Sequence, residues 1–73
     1  MRVIVNGEPR ELPDSLTVAE LVEQAAPTLG QGHGRGVAVA VDAEVVPRSD
    51  WERKRIFEGQ RVELLAAIQG GAE

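Results

Sequence analysis

One short, sharply bounded amphipathic helix is the feature that most limits how this chain can fold. Thr17-Val18-Ala19-Glu20 reads as a capping box, in which Thr17 caps the backbone N–H of Glu20 and the Glu20 carboxylate reaches back to the N–H of Thr17. Leu16 before the cap and Leu21 after it fit the hydrophobic staple that accompanies such a start. Val18, Leu21, Val22 and Ala25 then recur at i, i+3, i+4 and i+7, which is one face of a helix. Pro27, with no N–H and a ring that opposes continuation, stops it, so the helix is expected over residues 18–26. A single apolar stripe needs a single sheet to cover it, and the two layers close one core. A chain of 73 residues buries only about 60% of the surface that its unfolded form exposes, which leaves room for that core and no second one.

The segments around the helix read as strands and turns. Arg2-Val3-Ile4-Val5 is β-branched and runs into Asn6-Gly7, whose residues accept positive φ at both central positions of a two-residue hairpin. The return strand is expected over Glu8 to Leu12, and Pro9, which cannot donate to a ladder, places it at a sheet edge. Residues 30–36, Gly-Gln-Gly-His-Gly-Arg-Gly, read as a surface loop. Val37, Val39 and Val41 alternate with alanines, which suggests a strand buried on one face and closely packed on the other. Asp42-Ala43-Glu44 turns the chain, Val45-Val46 make a brief return strand, and Ser49 to Arg55 hold a short helical turn around Trp51. Glu58-Gly59 is a further turn, and Val62, Leu64, Ala66 and Ile68 alternate as the last strand. The fold class is therefore α+β, a sheet of four or five strands on one main helix.

Composition narrows the function classes. Twelve acids and eight bases give a net charge of −4. The excess is spread, with five acids and three bases in residues 1–36 and seven and five in residues 37–73. No basic face suits a phosphate backbone, so nucleic acid is not an expected partner, whereas basic patches on proteins are. The absence of cysteine excludes a disulfide scaffold, a thiolate metal site and a cysteine nucleophile. No apolar run approaches a membrane span and no signal peptide opens the chain, so a cytoplasmic protein is expected.

The candidate chemical groups read mostly as structural. His33, alone among glycines, reads as a solvated loop residue, since a metal needs several ligands. The glycine loop lacks a Lys-Ser/Thr ending and follows a helix instead of opening one, which argues against a phosphate cradle. Glu20 is absorbed by the cap and Glu23 by the solvent face. Trp51 reads as a packing residue that pins residues 47–55 over the sheet edge, with a partner anchor as the other use of such a residue. Arg53-Lys54-Arg55 is a solvated basic patch, and Lys54 is the single lysine. No autonomous enzyme is expected from this inventory.

The residues from Val46 onward carry a family resemblance. Val46-Pro47-Arg48-Ser49-Asp50-Trp51, then Glu58-Gly59, then an alternating strand running into Gly70-Gly71, resembles the ThiS-type sulfur carriers of thiamine biosynthesis, within the ubiquitin-like β-grasp family. The hairpin, the Thr17–Leu21 helix start and the Val37–Val41 strand agree with it. The resemblance implies a β-grasp domain over residues 1–69 and a flexible tail over 70–73. It implies that Gly71 carries the working carboxylate, supported by Gly70. A ThiF-like adenylating enzyme would use ATP to make the acyl-adenylate, sulfur would displace AMP to leave a thiocarboxylate, and a thiazole synthase would take that sulfur. No tightly bound cofactor is implied, and the chain is then a protein cosubstrate. Two residues without Cβ suit a tail that threads a narrow active site, and the lack of cysteine leaves an acyl group as the natural place for sulfur.

The sequence departs from that pattern in continuing with Ala72-Glu73, and Gln69 stands where a small apolar residue is usual. A carrier then requires a peptidase to cut between Gly71 and Ala72, the other explanation of Ala72-Glu73 being a cloning remnant. If Val62, Leu64, Ala66 and Ile68 face the helix, Leu65 points outward, and Leu65 with Ala67 is expected to form the patch that docks on partners. Two other functions remain open at this level: a sulfur carrier for molybdopterin or cysteine synthesis, and a ubiquitin-like binding module without acyl chemistry.

Overall fold

The computed structural model describes residues 1–25 and 36–66. Strand β1 (Arg2–Val5) turns through Asn6 and Gly7, with φ of 51° and 83°, into β2 (Glu8–Glu11). Helix α1 (Val18–Ala25) follows, then β3 (Val37–Val41), β4 (Glu44–Val45), a 3₁₀ turn (Arg48–Asp50) and β5 (Arg61–Ala66). One sheet holds all five strands in the order β2-β1-β5-β3-β4. The β1–β5 pair is parallel, and the other three pairs are antiparallel. The α+β expectation of a mixed sheet on one helix is met, with five strands.

The helix begins as its sequence requires. Thr17 N donates to Glu20 Oε1 at 2.9 Å, and Glu20 N donates to Thr17 Oγ1 at 3.2 Å. The two earlier N–H groups of the first turn are satisfied from a distant segment: Val18 N donates to Lys54 O at 2.9 Å and Ala19 N to Trp51 O at 3.0 Å. Leu16 and Leu21 are both buried, as a staple requires. Val18, Leu21 and Val22 then lie in one cluster with Val3 and Val5 of β1, Val39 and Val41 of β3, and Val62 and Leu64 of β5. Ile56 and Trp51 complete that core from the 46–56 segment. Trp51 is 6% exposed, its Nε1–H donates to Val46 O at 3.0 Å, and the Arg48 guanidinium lies 5.2 Å from its ring centroid. It packs and pins, as expected, beside the edge strand β4.

Four expectations shift. Strand β2 stops at Glu11, and Leu12 leaves the strand to pack partly buried against the core, its N–H donating to Met1 O at 2.8 Å. The return strand after β3 is Glu44–Val45 and not Val45–Val46, because the connection is a two-residue turn at Asp42 and Ala43. Val46 lies beyond the strand, with its side chain in the core. The helical turn is Arg48–Asp50, opened by Pro47, one residue earlier than the expected segment. The face of β3 that carries its alanines is not closely packed: Ala38 is exposed and Ala40 only half-buried, since among the described residues no second layer covers that side. The expected end of the helix at residue 26, Pro27, the glycine loop with His33, and Ile68 lie outside the described residues.

Candidate functional site: the exit of β5 and the open sheet face

Strand β5 runs through the middle of the sheet and points towards residues 67–73, so the site is built around its last residues. Its burial alternates as the sequence requires: Val62 and Leu64 face the helix, while Arg61, Glu63 and Leu65 face away. Leu65 is 67% exposed, and its outward direction is as expected. Ala67, Gly70, Gly71 and Ala72, the other residues singled out from the sequence, lie outside the described residues.

The register shows what surrounds Leu65. Ala38 of β3 is its cross-strand partner, and Ala40 is the partner of Glu63. On its other side Ala40 pairs with Val45 of β4, which is 78% exposed. Ile4 of β1 pairs with Arg61. The open face therefore presents Leu65 and Val45 above two alanines, with Glu63 and Arg61 nearest among its charged members and the Arg2–Glu11 ion pair farther along it. Small residues at the centre keep it low, so a partner surface can approach the sheet closely. The sequence reading found Leu65 but not Val45. Alternation counted from the turn would have found it, had that turn been placed at Asp42-Ala43.

Phe57, the third exposed large apolar residue among the described ones, is 60% exposed and was not anticipated. It lies at the opposite end of β5, where Gly59 N donates to Arg2 O and Ile4 N to Gln60 O, and does not join the Leu65 face. At the exit end, Asn6 has a second use beyond its turn. Its Oδ1 accepts from Leu64 N at 2.8 Å and its Nδ2 donates to Leu64 O at 3.2 Å.

Chemistry on the described surface is sparse. Among the described residues no group of three or more His, Asp or Glu side chains is placed to hold a metal. No helix among them is long and apolar enough to cross a membrane. The Asp42 carboxyl is held below its ordinary range, first by the Arg61 N–H and then by the Gln60 amide. It braces the β3–β4 turn and stands apart from the strand exit. Nothing in this inventory assembles a catalytic centre, so the functional weight falls on the exit of β5 and the face beside it.

A model of the ThiS family matches residues 3–71, a span that closes on the second glycine of Gly70-Gly71. The chain is 31% identical over 71 residues to the sulfur carrier protein ThiS of Escherichia coli, covering 97% of this chain and all of that one. It is 34% identical over 73 residues to a thiazole synthase of Paramagnetospirillum magneticum, of whose length it spans 21%. The crystal structure of the thiamine biosynthesis protein ThiS from Geobacter metallireducens superposes with a TM-score of 0.74 at 30% identity, covering 97% of this chain and all of that one. The solution structure of a thiamine biosynthesis protein from the same organism gives 0.72 at 29% identity, over all of this chain and 91% of that one. With its five-stranded mixed sheet on one helix, the chain belongs to the ThiS family, the β-grasp sulfur carriers of thiamine biosynthesis.

Proposed function

We propose that this chain carries sulfur as a thiocarboxylate on Gly71 and delivers it for the thiazole ring of thiamine. The family match that ends on Gly71 is the observation that carries this reading. A carboxylate is a poor acyl donor until one of its oxygens becomes a good leaving group. A ThiF-like adenylating enzyme supplies that: the Gly71 carboxylate attacks the α-phosphorus of ATP, pyrophosphate leaves, and a sulfur nucleophile then displaces AMP. While Gly71 remains in a peptide bond to Ala72 there is no carboxylate to activate, so a peptidase must first cut between them. Gly70 and Gly71, without Cβ, allow the backbone to enter a narrow site.

A thiazole synthase is the acceptor in this reading. That a region resembling this whole chain occurs within a thiazole synthase of another organism supports a working association between the two activities. Docking is assigned to the open face through Leu65, and Ala67 is proposed as the second residue of that patch. Gly71 lies five positions beyond Ala66, a reach of at most about 18 Å, so partners must sit close to the strand exit.

The test is ATP–pyrophosphate exchange with the host's adenylating enzyme, comparing the full chain with one truncated after Gly71. The truncated chain is expected to support exchange and the full chain not. Leu65→Glu in the truncated chain should weaken exchange at least tenfold while the thermal melt stays nearly unchanged. Equal exchange with both chain lengths, or none with either, would overturn the assignment of Gly71. A large loss of stability in Leu65→Glu would return Leu65 to a packing role.

A further inference from the structure

The geometry points to Asn6 as a positioning residue for the carrier's tail, acting through the backbone of Leu64. This deepens the proposed function and rests on it for its kinetic consequence. The parallel β1–β5 ladder is short, with Ile4 opposite Arg61 and Val5 opposite Val62. Its last backbone bond is Asn6 N to Val62 O at 2.9 Å. At Asn6 the chain leaves the sheet through a left-handed turn, so β5 loses its β1 neighbour two residues before Leu64.

The Asn6 side chain replaces the missing strand. An amide carries both an acceptor and a donor, as a backbone residue does, and Asn6 gives both to Leu64. The pairing of β5 on its β1 side is thereby carried from Val62 to Leu64. On the other side β3 pairs with β5 as far as Ala66, opposite Val37. Leu64 is thus fixed by its buried side chain, by β3 and by Asn6, and Leu65, the next residue, inherits a fixed outward direction. The point from which Gly71 must reach a partner is thereby set by the end of β5. Without the amide, β5 would fray from one side at Leu64, and the docking residue and the root of the tail would both lose definition.

Asn6→Gly separates this role from the turn, because glycine accepts the same positive φ and lacks only the amide. Asn6→Asp is the second variant; it tolerates the same turn and keeps an acceptor for Leu64 N, but offers no donor to Leu64 O. Amide hydrogen exchange on the full chain should show Leu64 exchanging about fivefold faster or more in Asn6→Gly, with Val39 unchanged, the scale of one lost hydrogen bond. In pyrophosphate exchange with chains truncated after Gly71, the KM for the carrier should rise about fivefold while kcat holds. A purely structural role would instead lower the melting temperature without moving KM. Unchanged Leu64 exchange in both variants, or an unchanged KM beside an active parent chain, would overturn the inference. An inert parent chain would sink the proposed function, while the hydrogen-exchange result would still decide whether Asn6 orders β5.

Discussion

At Asp42 and Ala43 the chain reverses with φ of 50° and 70°, a left-handed pair of the kind that Asn6 and Gly7 supply at the first hairpin. Asn and Gly enter that region readily, whereas for alanine it costs about 1–2 kcal/mol. The strain is held by Asp42: its N–H donates to Arg61 O at 2.7 Å, its Oδ1 accepts from Arg61 N at 3.0 Å, and its Oδ2 accepts from Gln60 Nε2 at 3.1 Å. The two bonds to its carboxylate, from Arg61 N first and then from Gln60, lower its pKa, so their contribution is present above the ordinary carboxylate pKa of 3.8 and is lost as pH falls through the depressed value. Ala43→Gly should relieve the strain, offset in part by a more flexible unfolded chain, for a net gain of about 0.5 kcal/mol. Urea denaturation with an unchanged m-value checks this, and a loss of stability would show that the turn is not strained. Asn6-Gly7 was legible as a hairpin because those residues prefer it. At Asp42-Ala43-Glu44 a turn was legible but its two-residue left-handed form was not, since alanine announces no such preference and the contacts that impose it come from residues 18 or more positions away. The second use of Asn6 was hidden for the same reason, its partner being 58 residues distant.

Among the elements, α1 shows how far a local signal carries. Its capping box and apolar stripe were readable from four or five residues and form as read. What could not be read is that the 47–54 segment closes the rest of the helix start, through Lys54 O and Trp51 O. That segment bears the Pro47-Arg48-Ser49-Asp50-Trp51 run of the family resemblance, and its described contacts have a structural use. Pro47 opens the 3₁₀ turn, Trp51 fills the core, and two carbonyls cap the helix. Thr17→Ala removes one of the three partners of the first turn and should cost about 1 kcal/mol in a denaturant titration. A cost below about 0.3 kcal/mol would mean that the 51–54 carbonyls alone hold the helix start. The end of β5 was legible through alternation, which placed Leu65 outward. The same alternation misjudged the outer face of β3, because alanine suits both a packed and an open surface.

For the molecule as a whole, the fold divides the chain into a buried layer that secures β5 and an open face from which β5 leaves. The central parallel pair of β1 and β5 was not legible in the sequence, since pairing between the first and last strands depends on the layout of the whole chain. The role proposed for Gly70-Gly71 comes only from the family resemblance. Physically the division suits the proposed carrier role: a small body offers a low apolar surface beside the exit of β5, and partners would supply the chemistry. The most direct test is the intact mass of this protein purified from its own host while the cells are making thiamine. The account predicts a species that ends at Gly71 with one carboxyl oxygen replaced by sulfur. A protein that retains Ala72 and Glu73 and carries no sulfur would contradict it.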